Sequence, residues 1–261
     1  VGAAILGIIL LAVVGAGFLT PYDPLAVDAD KAFRPPGAGH PLGTDILGRD
    51  MLSRVLFGGR LSMVTGIISV SFALLIGVPM GVLSGYYGAT TDRLIMRVVD
   101  LMLTFPGILL ALVIVAVLGP SLLNAMIAVG VSASPTYARV VRASTLSAKT
   151  EAYIEAARAL GCSSVRIILR HILPNTIAPL IVLGTLGVAG AMISAAALSF
   201  LGLGAQPPHP EWGALLSEGR SYLRVAWWMT AFPGFAIMVT VLAINLLGDG
   251  LRDALDPRLR T

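Results

Sequence analysis

Side chains capable of chemistry are few in this chain, and they are scattered. The three histidines, His40, His171 and His209, lie far apart, and no His-Glu-x-x-His pair stands ready for zinc. Ser84 precedes Gly85, but the Gly-x-Ser-x-Gly spacing of a hydrolase elbow is absent. No histidine lies in an apolar segment to activate that hydroxyl. Only two lysines occur, Lys31 and Lys149, and neither follows the glycine of a phosphate-binding Gly-x-x-x-x-Gly-Lys-Ser/Thr loop. An ATP site of that type cannot be built from this chain. The single cysteine, Cys162, has no partner for an internal disulfide and reads as a packing residue. No catalytic, cofactor-binding or metal-ligating residue is therefore expected.

What stands out instead is the stretch of residues 150–175. It is polar and basic, and apolar segments flank it. Thr150 suits an N-cap, with Glu151 in the first turn, where the helix dipole favours an acid. Tyr153, Ala156, Ala157 and Leu160 then follow at i, i+3, i+4 and i+7, the spacing of one helical face. Gly161 suits a left-handed turn that ends this helix. Ser163 can cap a second helix, in which Val165, Ile168, Leu169 and Ile172 repeat the spacing. Pro174 then stops that helix or kinks the start of the next apolar segment. Two short amphipathic helices joined at a glycine corner are expected, and their paired alanines would let a partner backbone come close. Spacing alone leaves three placements open: in a partner's groove, on the membrane surface, or against the chain's own bundle.

The elements around this stretch are strongly apolar. Of 261 residues, 56% are hydrophobic and only 12% charged, against about 25% charged in a soluble domain. Six apolar segments appear, at 1–19, 61–83, 101–118, 122–138, 177–203 and 226–247. Each approaches the ~20 residues a helix needs to span a bilayer. The fourth is the weakest, because Asn124, Ser132, Ser134, Pro135 and Thr136 interrupt it. The first lacks the basic start of a signal peptide and is read as a retained helix. The whole chain, 1–261, reads as a single transmembrane domain. None of the 32 charged residues falls inside the six segments. Placing both termini inside puts 11 of the 18 Lys and Arg residues on the inner side, the orientation that positive inner loops favour. Gly66, Gly77, Gly81, Gly184, Gly187 and Gly190 read as sites of close helix packing.

Glu155-Ala156-Ala157, followed by Gly161 and then Ile172-Leu173-Pro174, resembles the EAA loop of ABC importer permeases. The general pattern has an aliphatic residue three positions before that proline, where this chain has His171. The run from Arg170 to Asn175 instead resembles the branch that imports dipeptides, oligopeptides and nickel. The likeness extends to Tyr22-Asp23-Pro24, to His40-Pro41-Leu42-Gly43-Thr44-Asp45, and to Leu47-Gly48-Arg49-Asp50 with Ser53-Arg54. It continues through Gly85-Tyr86-Tyr87-Gly88 with Asp92, Arg97 and Asp100, then Ser199 to Gly204 and Trp212-Gly213. It ends with Asn245 to Asp253 and Asp256-Pro257-Arg258. Together these motifs are similar to the C-type permease of dipeptide and oligopeptide transporters.

The resemblance implies an all-α integral membrane protein with the type I ABC importer permease fold: six transmembrane helices and a cytoplasmic two-helix coupling loop. It implies that the loop docks into a groove on an ATPase subunit, through Glu151, Tyr153, Glu155, Ala156, Ala157, Leu160, Gly161, Leu173 and Pro174. No cofactor is implied in this chain, since ATP and magnesium would sit on partner ATPase subunits. The implied partners are a second homologous permease of B type, two ATPase subunits, an extracytoplasmic substrate-binding protein and the lipid bilayer, with no nucleic acid. The implied location is the cytoplasmic membrane of a bacterium or archaeon. The implied cargo is a di- or oligopeptide, with nickel or glutathione as the alternatives within the family.

The remaining motifs have plainer readings from their residues. Leu47, Met51, Leu52, Val55 and Leu56 approach helical spacing, which suggests an interfacial helix at 45–60 with Arg49, Asp50, Arg54 and Arg60 on its other faces. Trp212, Trp227 and Trp228 suit an aromatic belt. Asp249, Arg252, Asp253 and Arg258 suit exposed ion pairs worth little. Ser69, Ser194 and Asn245 are polar enough to line a path, although packing is the expected role of each. An ion-coupled carrier or intramembrane enzyme would need ionisable groups at membrane depth, and the six segments supply none.

Overall fold

A computed structural model of the chain describes residues 1–255, so Asp256, Pro257 and Arg258 of the last motif lie outside the described residues. The described residues form helices, with only two isolated bridges outside them. Helix α1 (Gly2–Val14) and the single turn α2 (Ala16–Leu19) lead into a largely irregular segment, 20–50, with one 3-10 turn at Ala29–Lys31. Then come α3 (Met51–Tyr87), α4 (Ala89–Thr104), α5 (Gly107–Leu118) and α6 (Leu122–Lys149). The short helices α7 (Ala152–Ala159) and α8 (Ser164–Ile167) precede α9 (Leu173–Phe200), α10 (Trp212–Gly219) and α11 (Trp228–Leu255).

Three helical stretches are long and apolar enough to cross a bilayer: α3, the continuous run Ser164–Phe200, and α11. A fourth exists only if α4 and α5, bent by 95°, count as one broken span. Helix α1, with 13 residues, is shorter than the ~20 that span a bilayer. Helix α6 is long but carries Arg139, Arg142 and Lys149 toward its end. The expected segment 101–118 is not one helix. Pro106 disfavours helical backbone at Phe105, which sits at φ −91°, ψ 139°, so residues 101–104 belong to α4 and only Gly107–Leu118 continues. The expected 61–83 segment is instead the middle of a 37-residue helix, α3, which Gly88 ends. Large apolar side chains such as Leu75, Val117, Phe235 and Leu242 point outward from these helices, as lipid-facing residues do.

Helices α3 and α6 form the central pair. Gly77, Gly81 and Gly85 recur every fourth residue along α3, so they line one face. A Cβ added at Gly77 would lie 2.6 Å from the Ser134 carbonyl, and one at Gly81 would lie 2.5 Å from that of Ala138. Such small-residue stripes let backbones touch where no hydrophobic force separates helix from lipid.

The two ends of α3 differ in kind. At its start the chain folds the 20–50 segment under α10 and α11. The 45–60 stretch is not a separate interfacial helix. Residues 45–50 are non-helical, and α3 begins at Met51 because the Asp50 carboxylate caps it, accepting from the Ser53 N–H (2.7 Å) and hydroxyl (2.8 Å). Arg54 does not face outward; its side chain and that of Asp45 are completely buried. The Asp45 carboxylate accepts from Arg49 Nε (2.6 Å) and Arg54 Nη1 (2.5 Å). Glu218 of α10 accepts from Arg49 (3.0 Å) and from Arg54 (2.7 and 3.2 Å). Two cations thus face two anions, and charge balance makes their burial tolerable.

Trp212 and Trp228 belong to this end's core rather than to an aromatic belt. Their indoles donate to the Val55 carbonyl (2.8 Å) and the Thr44 carbonyl (2.9 Å), and only Trp227 is exposed. Replacing Asp45 with Asn leaves two buried arginines against one carboxylate. Thermal unfolding of the solubilised Asp45→Asn variant is expected to show a loss of about 3–5 kcal/mol, the cost of breaking a buried ion pair. An unchanged melting point would mean that the network carries no net stability.

Candidate coupling site

The other end of α3 carries the elbow expected at 150–175. Thr150 does not cap the elbow's first helix. Helix α6 runs on to Lys149, and Thr150 closes it by donating its hydroxyl to the Ser147 carbonyl (2.9 Å). Glu151 takes the position before α7, in extended backbone and without a side-chain cap bond. At the far end of α7, Gly161 adopts φ +79°. Its N–H donates to the Arg158 carbonyl (2.9 Å), while the Cys162 N–H reaches the Ala157 carbonyl (3.0 Å). These are the two bonds of a Schellman closure, which places a residue in the left-handed region. Ser163 then precedes α8, with its hydroxyl 3.5 Å from the Arg166 N–H.

Pro174 neither stops nor breaks the helix that follows. The chain passes from α8 through a π-helical turn, Ile168–Ile172, directly into α9. Proline offers no N–H to the carbonyl four residues back, and a widened turn is a known way to accommodate that loss. Asn175 assists by donating its side-chain amide to the His171 carbonyl (2.6 Å). The same amide donates to the Tyr153 hydroxyl (2.9 Å), which ties the base of α9 to α7.

The elbow has an inner and an outer face. Inside, Ile154, Ala157, Ile167 and Ile172 close around Tyr86, near the end of α3, and form a separate small core. Lys149 donates to the Tyr86 carbonyl (2.5 Å), and Arg158 lies 5.5 Å from the centre of its ring. Of the residues expected to contact a partner, Glu151, Tyr153, Glu155, Ala156, Leu160, Gly161 and Pro174 are exposed. Leu173 is half-buried, and Ala157 is turned inward, so the two neighbouring alanines do not share a face. Leu160 is 85% exposed, and Val165 and Leu169 are exposed as well. The spacing rule followed Tyr153 and passed over Ile154, although Ile154 and Ala157 also lie three apart. Val165 and Leu169 were expected on the face of Ile172; the π-turn shifts the register, and Ile167 packs inward instead.

A second contact ties α4 to α6. The Arg142 guanidinium of α6 makes two parallel bonds of 2.6 Å to the Asp92 carboxylate, which also accepts from the Ser84 hydroxyl. The Arg142 guanidinium holds the Asp92 carboxyl down to about 2, with Ser84 assisting against partial burial. Arg139 and Asp100 pair at 2.6 Å between the same helices, but both are exposed and contribute little. The Asp92 position was visible in the sequence as part of a motif, but its partner lies fifty residues away and no local spacing connects them. Among the described residues no group of three or more His, Cys, Asp and Glu could hold a metal ion. The arrangement is built to hold a rigid, outward-facing elbow against the central helix pair.

Because the Asp92 pKa is depressed, its contribution is complete above the ordinary carboxylate value of 3.8 and disappears as pH falls through about 2. Comparing acid unfolding of wild type and Asp92→Asn should show a gap on the order of 1 kcal/mol above about pH 4, closing near pH 2. A gap that persists below that pH would show that the carboxylate's charge is not its source.

The sequence profile described as "Binding-protein-dependent transport system inner membrane component" matches residues 77–261. A dipeptide transport system permease protein, DppC, of Alkalihalophilus pseudofirmus is 47% identical over 261 residues, covering 100% of this chain and 86% of that protein. A glutathione transport system permease protein, GsiD, of Escherichia coli O157:H7 is 49% identical over 260 residues, covering 98% and 86%. Among solved structures, the inward-facing MetNI methionine ABC transporter matches with a TM-score of 0.63 at 21% identity, covering 79% of this chain and 98% of that one. That likeness shows the fold, an all-helical type I ABC importer permease. The chain belongs to the family of binding-protein-dependent transport system inner membrane components.

Proposed function

We propose that this chain is the permease subunit of an ATP-driven importer of di- and oligopeptides. It works with a second, homologous permease, two ATPase subunits and an extracytoplasmic binding protein. ATP and magnesium belong to the ATPases. The bundle crosses the cytoplasmic membrane about six times, with both termini and the elbow on the inner side. The observation that carries this reading is the elbow's divided character: one face locked onto Tyr86, the other leaving Leu160, Val165 and Leu169 bare. A rigid apolar surface beside exposed Glu151 and Glu155 suits a protein groove. A push on it reaches the α3–α6 pair through Tyr86 and reaches α4 through Asp92 and Arg142.

The name of the 47%-identical relative supports a dipeptide as cargo. A second reading, glutathione, has the support of the 49%-identical relative. Both are short peptides, and uptake of each by the assembled complex separates them.

The corner at Gly161 tests the coupling role. No heavy atom lies within 4 Å of a Cβ built there, so space is not limiting, but φ +79° is. Asn tolerates this region and a β-branched residue does not. The Gly161→Val variant should lower uptake per ATP hydrolysed by about tenfold, the effect of about 1.4 kcal/mol. Gly161→Asn should stay near wild type. Fully coupled uptake in the valine variant would contradict the docking role.

A further inference from the structure

A cavity of about 390 Å³ lies between α3, α6, α9 and the α4–α5 corner. That volume falls within the range of about 300–1,000 Å³ seen for small-ligand sites. Its polar lining consists of hydroxyls: Ser69 of α3, Ser132, Thr136 and Tyr137 of α6, and Ser194 of α9. No lining residue carries a formal charge at neutral pH. Phe105, at the corner made by Pro106, forms part of the remaining apolar wall.

Two details distinguish this cavity from a packing gap. Ser69 is only 1% exposed, and its hydroxyl has no hydrogen-bond partner among the described residues. A buried hydroxyl without a partner is costly and is rare in folded proteins. Helical serines commonly return the proton to their own backbone, as Ser132 does to the Val129 carbonyl at 2.9 Å; Ser69 does not. The second detail is Tyr137. A Cβ on Gly187 would lie 2.0 Å from its hydroxyl, so the glycine makes room for that group in the wall. The hydroxyl itself reaches only the Leu183 carbonyl, at 3.5 Å.

We infer that this cavity is a resting site for the uncharged backbone amide of a short peptide in transit, with Ser69 as a direct contact. The inference rests on the import reading above. Hydroxyls both donate and accept, so they match an amide's C=O and N–H alike. They cannot neutralise a formal charge, and an unpaired charge in such surroundings is penalised severely. The site therefore holds what all peptides share and leaves charged termini and side chains to water on its open side. It accepts many sequences because it reads none of their side-chain charges.

The test uses the assembled importer reconstituted in vesicles, with dialanine and glutathione as probes. In a Ser194→Cys variant, N-ethylmaleimide should label the new thiol, and a saturating imported peptide should slow that labelling at least fivefold. The variant also carries Cys162→Ser, and labelling at position 194 without peptide serves as the unprotected reference. Ser69→Ala should lower peptide uptake about fivefold while its melting temperature stays level or rises. A packing role for Ser69 would instead lower the melting temperature and leave uptake per folded complex unchanged. Intact peptide uptake with an unlabelled or unprotected Cys at 194, or with a wild-type rate in Ser69→Ala, overturns the site and leaves the import reading standing. No uptake of either peptide by the wild-type complex overturns the import reading, and this site with it.

Discussion

The closure of the elbow around Tyr86 is the contact on which the mechanical account depends. Burying an aliphatic side chain such as Ile154, Ile167 or Ile172 stabilises by about 1.5–3 kcal/mol. Three such side chains, with Ala157 and the tyrosine ring, hold the elbow as one body with the end of α3. Lys149 and Arg158 add polar and cation–ring contacts to the same residue. Without this small core the elbow would be a tethered loop, and a push on its outer face would dissipate in loop motion. With it, displacement at Leu160 must move α3, and through the glycine stripe it must move α6.

Electrostatics is distributed along the molecule in a way that fits this division of labour. Among the described residues, the buried and partly buried ion pairs lie toward the two ends of α3. At one end Asp45, Arg49, Arg54 and Glu218 cross-link the irregular segment to α10. At the other, Asp92 and Arg142 clamp α4 to α6. The polar side chains of the cavity are hydroxyls, set in an otherwise apolar wall. The elbow carries exposed apolar side chains at Leu160, Val165 and Leu169.

Much of this was legible in the sequence, and the failures have identifiable causes. Composition and run length located the helices, and the two-helix elbow followed from periodicity with Gly161 as its corner. The Phe105–Pro106 break was missed because apolar run length outweighed the proline. Thr150 was misassigned because nothing local reveals that α6 continues to Lys149. The register of α8 was misread because a π-turn shifts the face by part of a turn, which a fixed 3.6-residue period cannot follow. Arg54 was read as lying off the apolar face of an interfacial helix, because its partner Glu218 stands 164 positions away in sequence. The elbow's inner face escaped notice because spacing finds faces without saying which one a tyrosine from another helix will cover.

The central claim is that the outer face of the elbow meets an ATP-hydrolysing protein on the inner side of the membrane. A photoreactive side chain placed at Leu160 in intact cells tests it directly. The account predicts a crosslink to a nucleotide-hydrolysing subunit, with the same position shielded from reagents added outside the cell. Crosslinks to lipid alone, or labelling of that position from the extracytoplasmic side, would contradict it.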